Sequence, residues 1–258
     1  MPAEAAAGLL PGAPFLLVLA RMSALAGLIP LPGLRHGPAV PRVLLALSLT
    51  AALRPVWPEM PERIPAGRML VSLLIEASIG VAIGLAVVFA TEAFVLAAQA
   101  IALQAGYSYA STIDPSSEAD SGVLPVAAQL IAALMLLGTG LDRMVVRALA
   151  RSLEVWPPGS GAWPEHWSRL AELGGAMFEL ALRLAMPVFT LLLLTDLAIG
   201  LLGRVQAQMQ LLSLGFPLKM LASLVLLALL VSDWPALFES AWRANLRAVF
   251  GALAGGVR

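Results

Sequence analysis

Three carboxylates stand inside long apolar runs, and their chemistry needs explaining first. Glu76 lies in LIEASIGVAIG, Glu92 in VVFATEAFVL and Asp196 in LLLLTDLAIGLLGR. An ionised carboxylate in hydrocarbon is costly. Such a group faces protein or a water-filled path, where it can pair with a cation, accept hydrogen bonds or carry a proton. Glu76, Gly80 and Gly84 follow one another at intervals of one helical turn. Glycines at that spacing let a second backbone come close, and Glu76 can then bond across the contact. The alternative is a glutamate near a helix end that reaches interfacial water. Glu92 and Gln99 are seven residues apart on one helix face, and Gln104 ends the same run. They read as an interhelical hydrogen-bonding stripe. A proton relay is the weaker reading, because only one group of the stripe titrates near the physiological range. All six residues are expected to pack against another subunit. Asp196 has Arg183 and Arg204 at 13 and 8 residues, beyond the reach of an i,i+4 pair. Its partner therefore belongs to another element or another chain.

Catalytic constellations are missing. His36 sits in a Pro/Gly-rich loop and His166 lies between Trp163 and Trp167, neither with metal-ligand spacing. There is no GxSxG, HExxH or P-loop Gly-Lys pair. The chain has no cysteine, which excludes disulfides and thiolate metal sites. No enzyme activity, metal or cofactor is expected.

Two polar stretches interrupt the apolar runs. Gly106–Pro115 reads GYSYASTIDP, without a positive charge. Gly106 can stop the preceding helix, Tyr107, Tyr109 and Ile113 alternate with small residues, and Asp114-Pro115 is a turn signal. A small, largely uncharged loop of this kind can block an aqueous path. Gly203–Lys219 reads GRVQAQMQLLSLGFPLK. Its glutamines Gln206, Gln208 and Gln210 alternate and fall on opposite helix faces. Gly215-Phe216-Pro217 then restarts an apolar run, with Pro217 expected in the first turn of a helix.

The elements that hold these residues follow from composition. Of 258 residues, 60% are hydrophobic and 12% charged, against about 45–50% and about 25% in soluble domains. Mean hydropathy is +0.88. This is an integral membrane protein and not a disordered chain. The 16 Lys and Arg are balanced by 16 Asp and Glu with no evident basic cluster, so nucleic acid is not an expected partner. The N-terminus lacks the basic segment of a cleavable signal and reads as mature sequence.

Six apolar stretches are visible: Gly12–Leu31, Val40–Leu53, Met69–Gln104, Val123–Leu141, Ala176–Gly203 and Leu211–Val231. About 20 helical residues cross a bilayer core. Val40–Leu53 has 14, Met69–Gln104 has 36, and Ala176–Gly203 contains Pro187, expected to kink it. The fold class is all-α, with short, long and kinked helices. Such misfits suggest surfaces buried against other chains. Leu53–Arg68, with four prolines, reads as irregular, and Trp156–Trp167 as an interfacial belt or a packed surface loop. Asp233–Arg258 reads as an amphipathic tail. A six-span arrangement gathers most arginines, including Arg143, Arg147, Arg151, Arg243 and Arg247, on one side, which the positive-inside rule makes cytoplasmic.

Taken in order, these residues resemble the FliR family of the flagellar type III export apparatus and its injectisome counterpart, SctT. The resemblance covers nearly the whole chain. It rests on Arg21-Met22-Ser23, on Pro41-Arg42-Val43, and on Glu76, Gly80 and Gly84. It continues through Gln104, Gly106, Asp114 and Pro115. Most specific is Arg204, then Gln208-Met209, then Gly215-Phe216-Pro217-Leu218-Lys219, closer to the flagellar pattern than to the injectisome one. The chain departs from the family at Ala207, Gln210, Ala105 and Leu141-Asp142.

The resemblance implies a single export-gate domain over 1–258, placed in the bacterial inner membrane at the flagellar basal body. It implies FliP-like and FliQ-like partners, FlhB-like and FlhA-like components, and unfolded export substrates. Gly106, Tyr107, Tyr109, Ile113 and Asp114 would plug the closed channel. A proton-coupled secondary transporter is the alternative function, although no internal symmetry of the transporter type is visible.

Overall fold

The computed structural model describes residues 9–29, 39–58, 63–107, 122–160, 168–205 and 211–254. Helices dominate. Two three-residue strands, β1 (Leu9–Pro11) and β2 (Arg63–Pro65), pair antiparallel with Leu10 opposite Ile64. Eight α-helices are seen among the described residues: α1 (Ala13–Leu28), α2 (Val40–Ala52), α3 (Ala66–Ala105), α4 (Val123–Gly138), α5 (Leu141–Val155), α6 (Ser168–Val205), α7 (Leu211–Leu230) and α8 (Trp234–Ala254). Three helical runs, over 67–105, 170–204 and 215–251, are long and apolar enough to cross a membrane. Counting α4 and α5 as one broken span makes four.

Local chemistry sets the boundaries. Gly12, at φ +80°, precedes α1, and Pro14 sits in its first turn, where a missing N–H costs little. Pro41 does the same for α2. The proline-rich segment after α2 holds a 3₁₀ turn at Arg54–Val56 and then β2, so part of it is regular. α3 meets no proline after Pro65 and runs for 40 residues, about 60 Å at 1.5 Å per residue. It stops where expected. Gly106 takes φ +87°, and the Tyr107 N–H reaches the Ala102 carbonyl at 3.0 Å while the Gly106 N–H reaches Leu103 at 3.3 Å. These two bonds satisfy the last carbonyls of the helix in the glycine-capped manner.

One proline expectation needs adjustment. α6 continues through Pro187, which has no N–H to donate to the Arg183 carbonyl. α7 begins at Leu211, so Pro217 is its seventh residue and lies inside the helix, not in its first turn. The apolar Leu211-Leu212 and the following Ser213-Leu214 extend the helix upstream of the glycine.

The chain divides into two compact units, one of residues 1–89, 136–174 and 242–258, the other of 90–135 and 175–241. In the first, α2 packs on α1, and Ala13, Leu17 and Met69 form a buried cluster. The tail expected to be amphipathic is α8, which buries Trp242 and Val249 while exposing Arg243 and Arg247. Trp156 is buried and stacked on Phe250, 5.6 Å between centroids, which makes it a packed residue. In the second unit, Phe94 makes edge-on contacts with Trp234 and Phe238 at 5.5 and 5.3 Å.

Candidate functional site

The first unit holds a buried charge clamp. Arg21 projects from α1 and Glu76 from α3, with 0% and 2% of their surfaces exposed. The Arg21 Nε donates to Glu76 Oε2 at 2.8 Å, and Nη2 lies 2.5 Å from the same oxygen. Nη1 donates to the Ser152 carbonyl (2.8 Å) and hydroxyl (3.0 Å), and Nη2 to the Trp156 carbonyl (2.8 Å). The second glutamate oxygen, Oε1, accepts the Gly159 N–H at 3.1 Å. Ser152 and Trp156 belong to the last turn and C-cap of α5. Arg21 thus places its charge at the negative end of that helix dipole, where a cation is stabilising. One guanidinium ties α1, α3 and the end of α5 together, with every charged atom partnered as burial demands.

The Gly80 and Gly84 expectation concerns the same place. A Cβ at Gly80 would collide with the Arg21 carbonyl oxygen, and one at Gly84 would lie 2.8 Å from Leu28 Cδ1. The backbone that these glycines admit is the chain's own α1. Glu76 bonds across this contact, within the chain, so no other subunit is needed to explain these three residues. Arg21 is the partner that the reading of Glu76 did not supply. The available signal was an arginine inside an apolar run, which calls for a buried acceptor. Farther along α3, Glu92 is half-buried, while Gln99 and Gln104 are exposed.

The second unit gathers a different set. Gly106 lies under the Phe216 ring, and a Cβ there would approach Cδ1 to 2.6 Å. The Tyr107 hydroxyl donates to the Met220 carbonyl at 2.9 Å. Lys219, one residue before, pairs with Asp196 of α6, and Gly215 sits against Ile199. The end of α3, the Gly-Phe-Pro-Leu-Lys stretch and the intrahelical aspartate therefore meet in one cluster. Asp196 finds its partner on another element, as its spacing required. Arg204 is exposed near the end of α6. Tyr109, Ile113, Asp114, Gln208 and Met209 lie outside the described residues. Among the described residues, no group of His, Cys, Asp or Glu could hold a metal ion.

Comparison with known proteins bears on this arrangement. The profile of Bacterial export proteins, family 1, matches residues 13–244. The flagellar biosynthetic protein FliR of Escherichia coli K12 is 30% identical over 214 residues, 83% of this chain and 82% of the relative. The chain belongs to the FliR family. The FliR of Bacillus subtilis is also 30% identical, over 84% of this chain and 86% of its own length. That of Caulobacter vibrioides is 27% identical over 89% and 93%. Membership makes this a flagellar biosynthesis protein of the export apparatus, and its long apolar helices suit a membrane. Within this FliR-family chain, both clusters involve residues on which the resemblance rests: Arg21, Glu76, Gly80 and Gly84 in one, Gly106 and Gly215–Lys219 in the other.

Proposed function

We propose that this chain is a non-enzymatic subunit of the flagellar type III export gate in the bacterial inner membrane, and that the segment after Gly106 plugs its channel. The carrying observation is the anchorage of that segment. α3 is terminated by a glycine at φ +87°, the glycine is covered by Phe216, and the next residue is fastened through Tyr107 to the Met220 carbonyl. The root from which that segment leaves α3 is therefore fixed. On this reading the whole chain is one gate module. It assembles with FliP-like and FliQ-like subunits beside FlhB-like and FlhA-like components at the basal body, and unfolded substrates pass through. Exposed leucines along α6 and α7 supply apolar surface for such neighbours. The alternative, a proton-coupled secondary transporter, gains less support, because both Glu76 oxygens are engaged by Arg21 and the Gly159 N–H.

The test deletes residues 108–113 and leaves the Tyr107 anchor in place. Recovery with FliP-like and FliQ-like subunits should be normal, and small-solute conductance of the reconstituted complex should rise. Unchanged conductance removes the plug role. A lone chain that carries solute flux without partners removes the gate.

A further inference from the structure

Within the first unit, Arg147 and Arg151 of α5 and Arg243 and Arg247 of α8 line one open cavity of about 540 Å³. Arg243 is already engaged within the chain. The other three are exposed, and among the described residues no carboxylate pairs with them. The Arg247 Nε donates to the Arg243 carbonyl at 3.2 Å, which holds its stem and leaves both Nη groups to an outside acceptor. The Arg151 guanidinium carbon stands 5.7 Å from the Phe250 ring centroid. That contact steadies the guanidinium and supplies no carboxylate. The ring is itself held by stacking on Trp156 at an interplanar angle of 26°. Arg147 lies one turn before Arg151, on the same face of α5. Beside the cations the lining is apolar, with Met144 and Phe250 half-buried.

Both helices belong to runs of membrane-crossing character. α8 continues the apolar run over 215–251, and α5 is the second half of a broken span with α4. A cation in such a run faces protein or water and is matched by a partner, because hydrocarbon cannot solvate it. We propose that the cavity docks an acidic, amphiphilic segment of a neighbouring protein chain. Carboxylates answer guanidinium forks bidentately, and carboxylates one helical turn apart match arginines of the same spacing. An apolar residue beside them covers Met144 and Phe250. A soluble anion would take the forks and leave that apolar lining wet. A lipid headgroup would need the cavity at a bilayer surface, whereas both arginine pairs stand within the runs themselves. The positive charge also repels basic chains, so it selects which neighbour docks. This docking rests on the gate reading, in which other chains surround this one, and is independent of the plug.

The test places a photocrosslinking residue at position 144 of the full chain in the assembled apparatus, with all four arginines intact. Mass spectrometry of the adduct should map it to a protein segment with at least two carboxylates within one helical turn. Arg147→Glu/Arg247→Glu in the same chain should lower the adduct yield at least about tenfold, because like charges then face each other. Replacing the mapped carboxylates by lysine should restore the yield with that variant and lower it with the arginine chain. Arg68→Gln/Arg183→Gln, outside the cavity, should leave the yield unchanged. Adducts with lipid, adducts with a segment lacking carboxylates, or no adduct at all overturn the docking. An unaffected yield in the glutamate variant, or no rescue by the lysine exchange, overturns it as well. The first arm needs no arginine variant, so it decides the matter even if the glutamate variant fails to fold. Protein adducts at position 197 with none at 144 would remove the docking and leave the gate standing. Lipid adducts alone at both positions would remove both.

Discussion

The clamp between α1, α3 and α5 and the outward flanks of α6 and α7 follow opposite rules. At the clamp, charge has been taken out of water and every charged atom is answered: the Arg21 guanidinium by Glu76, Ser152 and Trp156, and the Glu76 carboxylate by Arg21 and Gly159. Along α6, Leu193, Leu197 and Leu201 face outward, as do Leu221, Val225 and Leu229 along α7. Of the most apolar stretches, 56% is buried in α3, against 22% in α6 and 11% in the α7–α8 run. A soluble monomer rarely exposes a contiguous apolar patch beyond a few hundred Å². The chain settles its buried charges by itself and leaves its apolar flanks for lipid or protein to cover. The charged interior and the apolar flank therefore rest on different residues, and mutations can separate them.

The largest effect is expected at the clamp. Arg21→Leu leaves the Glu76 carboxyl buried without its partner, at a cost of about 3–5 kcal/mol. That is a large part of the roughly 5–15 kcal/mol that holds a typical domain together. Glu76→Leu strands the arginine in the same way. Arg21→Leu/Glu76→Leu removes both charges and should be less destabilised than either single variant, even with the Ser152 and Trp156 carbonyls deprived of a donor. Thermal unfolding midpoints of the purified chain in detergent check this. If the double variant loses the sum of the two single losses, the residues are not coupled, and the clamp is not the unit described here.

The two regions also differed in how far they could be read in the sequence. α3 was legible nearly to its ends, Met69–Gln104 expected against Ala66–Ala105 found, because no proline interrupts it and Gly106 supplies the stop. The short α2 was legible for the same reason, being framed by prolines. The need for a partner at Glu76 and at Asp196 was legible from the cost of burying charge. Which residue answers was not, because Arg21 is 55 residues from Glu76 and 131 from Ser152 in the chain. Residue spacing reports one helix face, not which helix lies against it. The arginine cavity was hidden for that reason: α5 and α8 each show an ordinary charged face. The stretch Leu211–Val231 matched α7 at its start, but Pro217 was weighed as a helix opener and lies inside the helix, because the apolar residues before it are already helical.

A smaller effect is expected where the second unit turns the chain. Gly106→Ala places a side chain at φ +87°, which costs about 1–2 kcal/mol. It also drives a methyl to 2.6 Å from Phe216 Cδ1, adding overpacking of about 1–3 kcal/mol unless the ring shifts. Phe216→Leu in the same chain should recover the overpacking and not the backbone strain. The thermal midpoint should therefore fall for Gly106→Ala and rise partway in the double variant. Motility in a complementation test should fall with Gly106→Ala, because the root of the loop has moved. A variant with an unchanged midpoint and full motility would show that the end of α3 tolerates any residue, and the support assigned to the loop would go.

The smallest effect on the chain itself should come from its most apolar flank. Leu197 and Leu201 stand one turn apart on α6 and are 56% and 63% exposed. Leu197→Ser/Leu201→Ser changes side chains that are mostly exposed in the chain alone, so its unfolding midpoint in detergent should move by no more than about 0.5 kcal/mol equivalent. Recovery of FliP-like and FliQ-like subunits with it should nevertheless drop, because the apolar area those neighbours would cover has been replaced by hydroxyls. A photocrosslinking residue at position 197 decides what does the covering: adducts with protein place a subunit there, and adducts with lipid place the bilayer. If the serine variant is instead destabilised as severely as Arg21→Leu, the flank belongs to the interior of the folded chain. The division between self-sufficient core and borrowed surface would then be false.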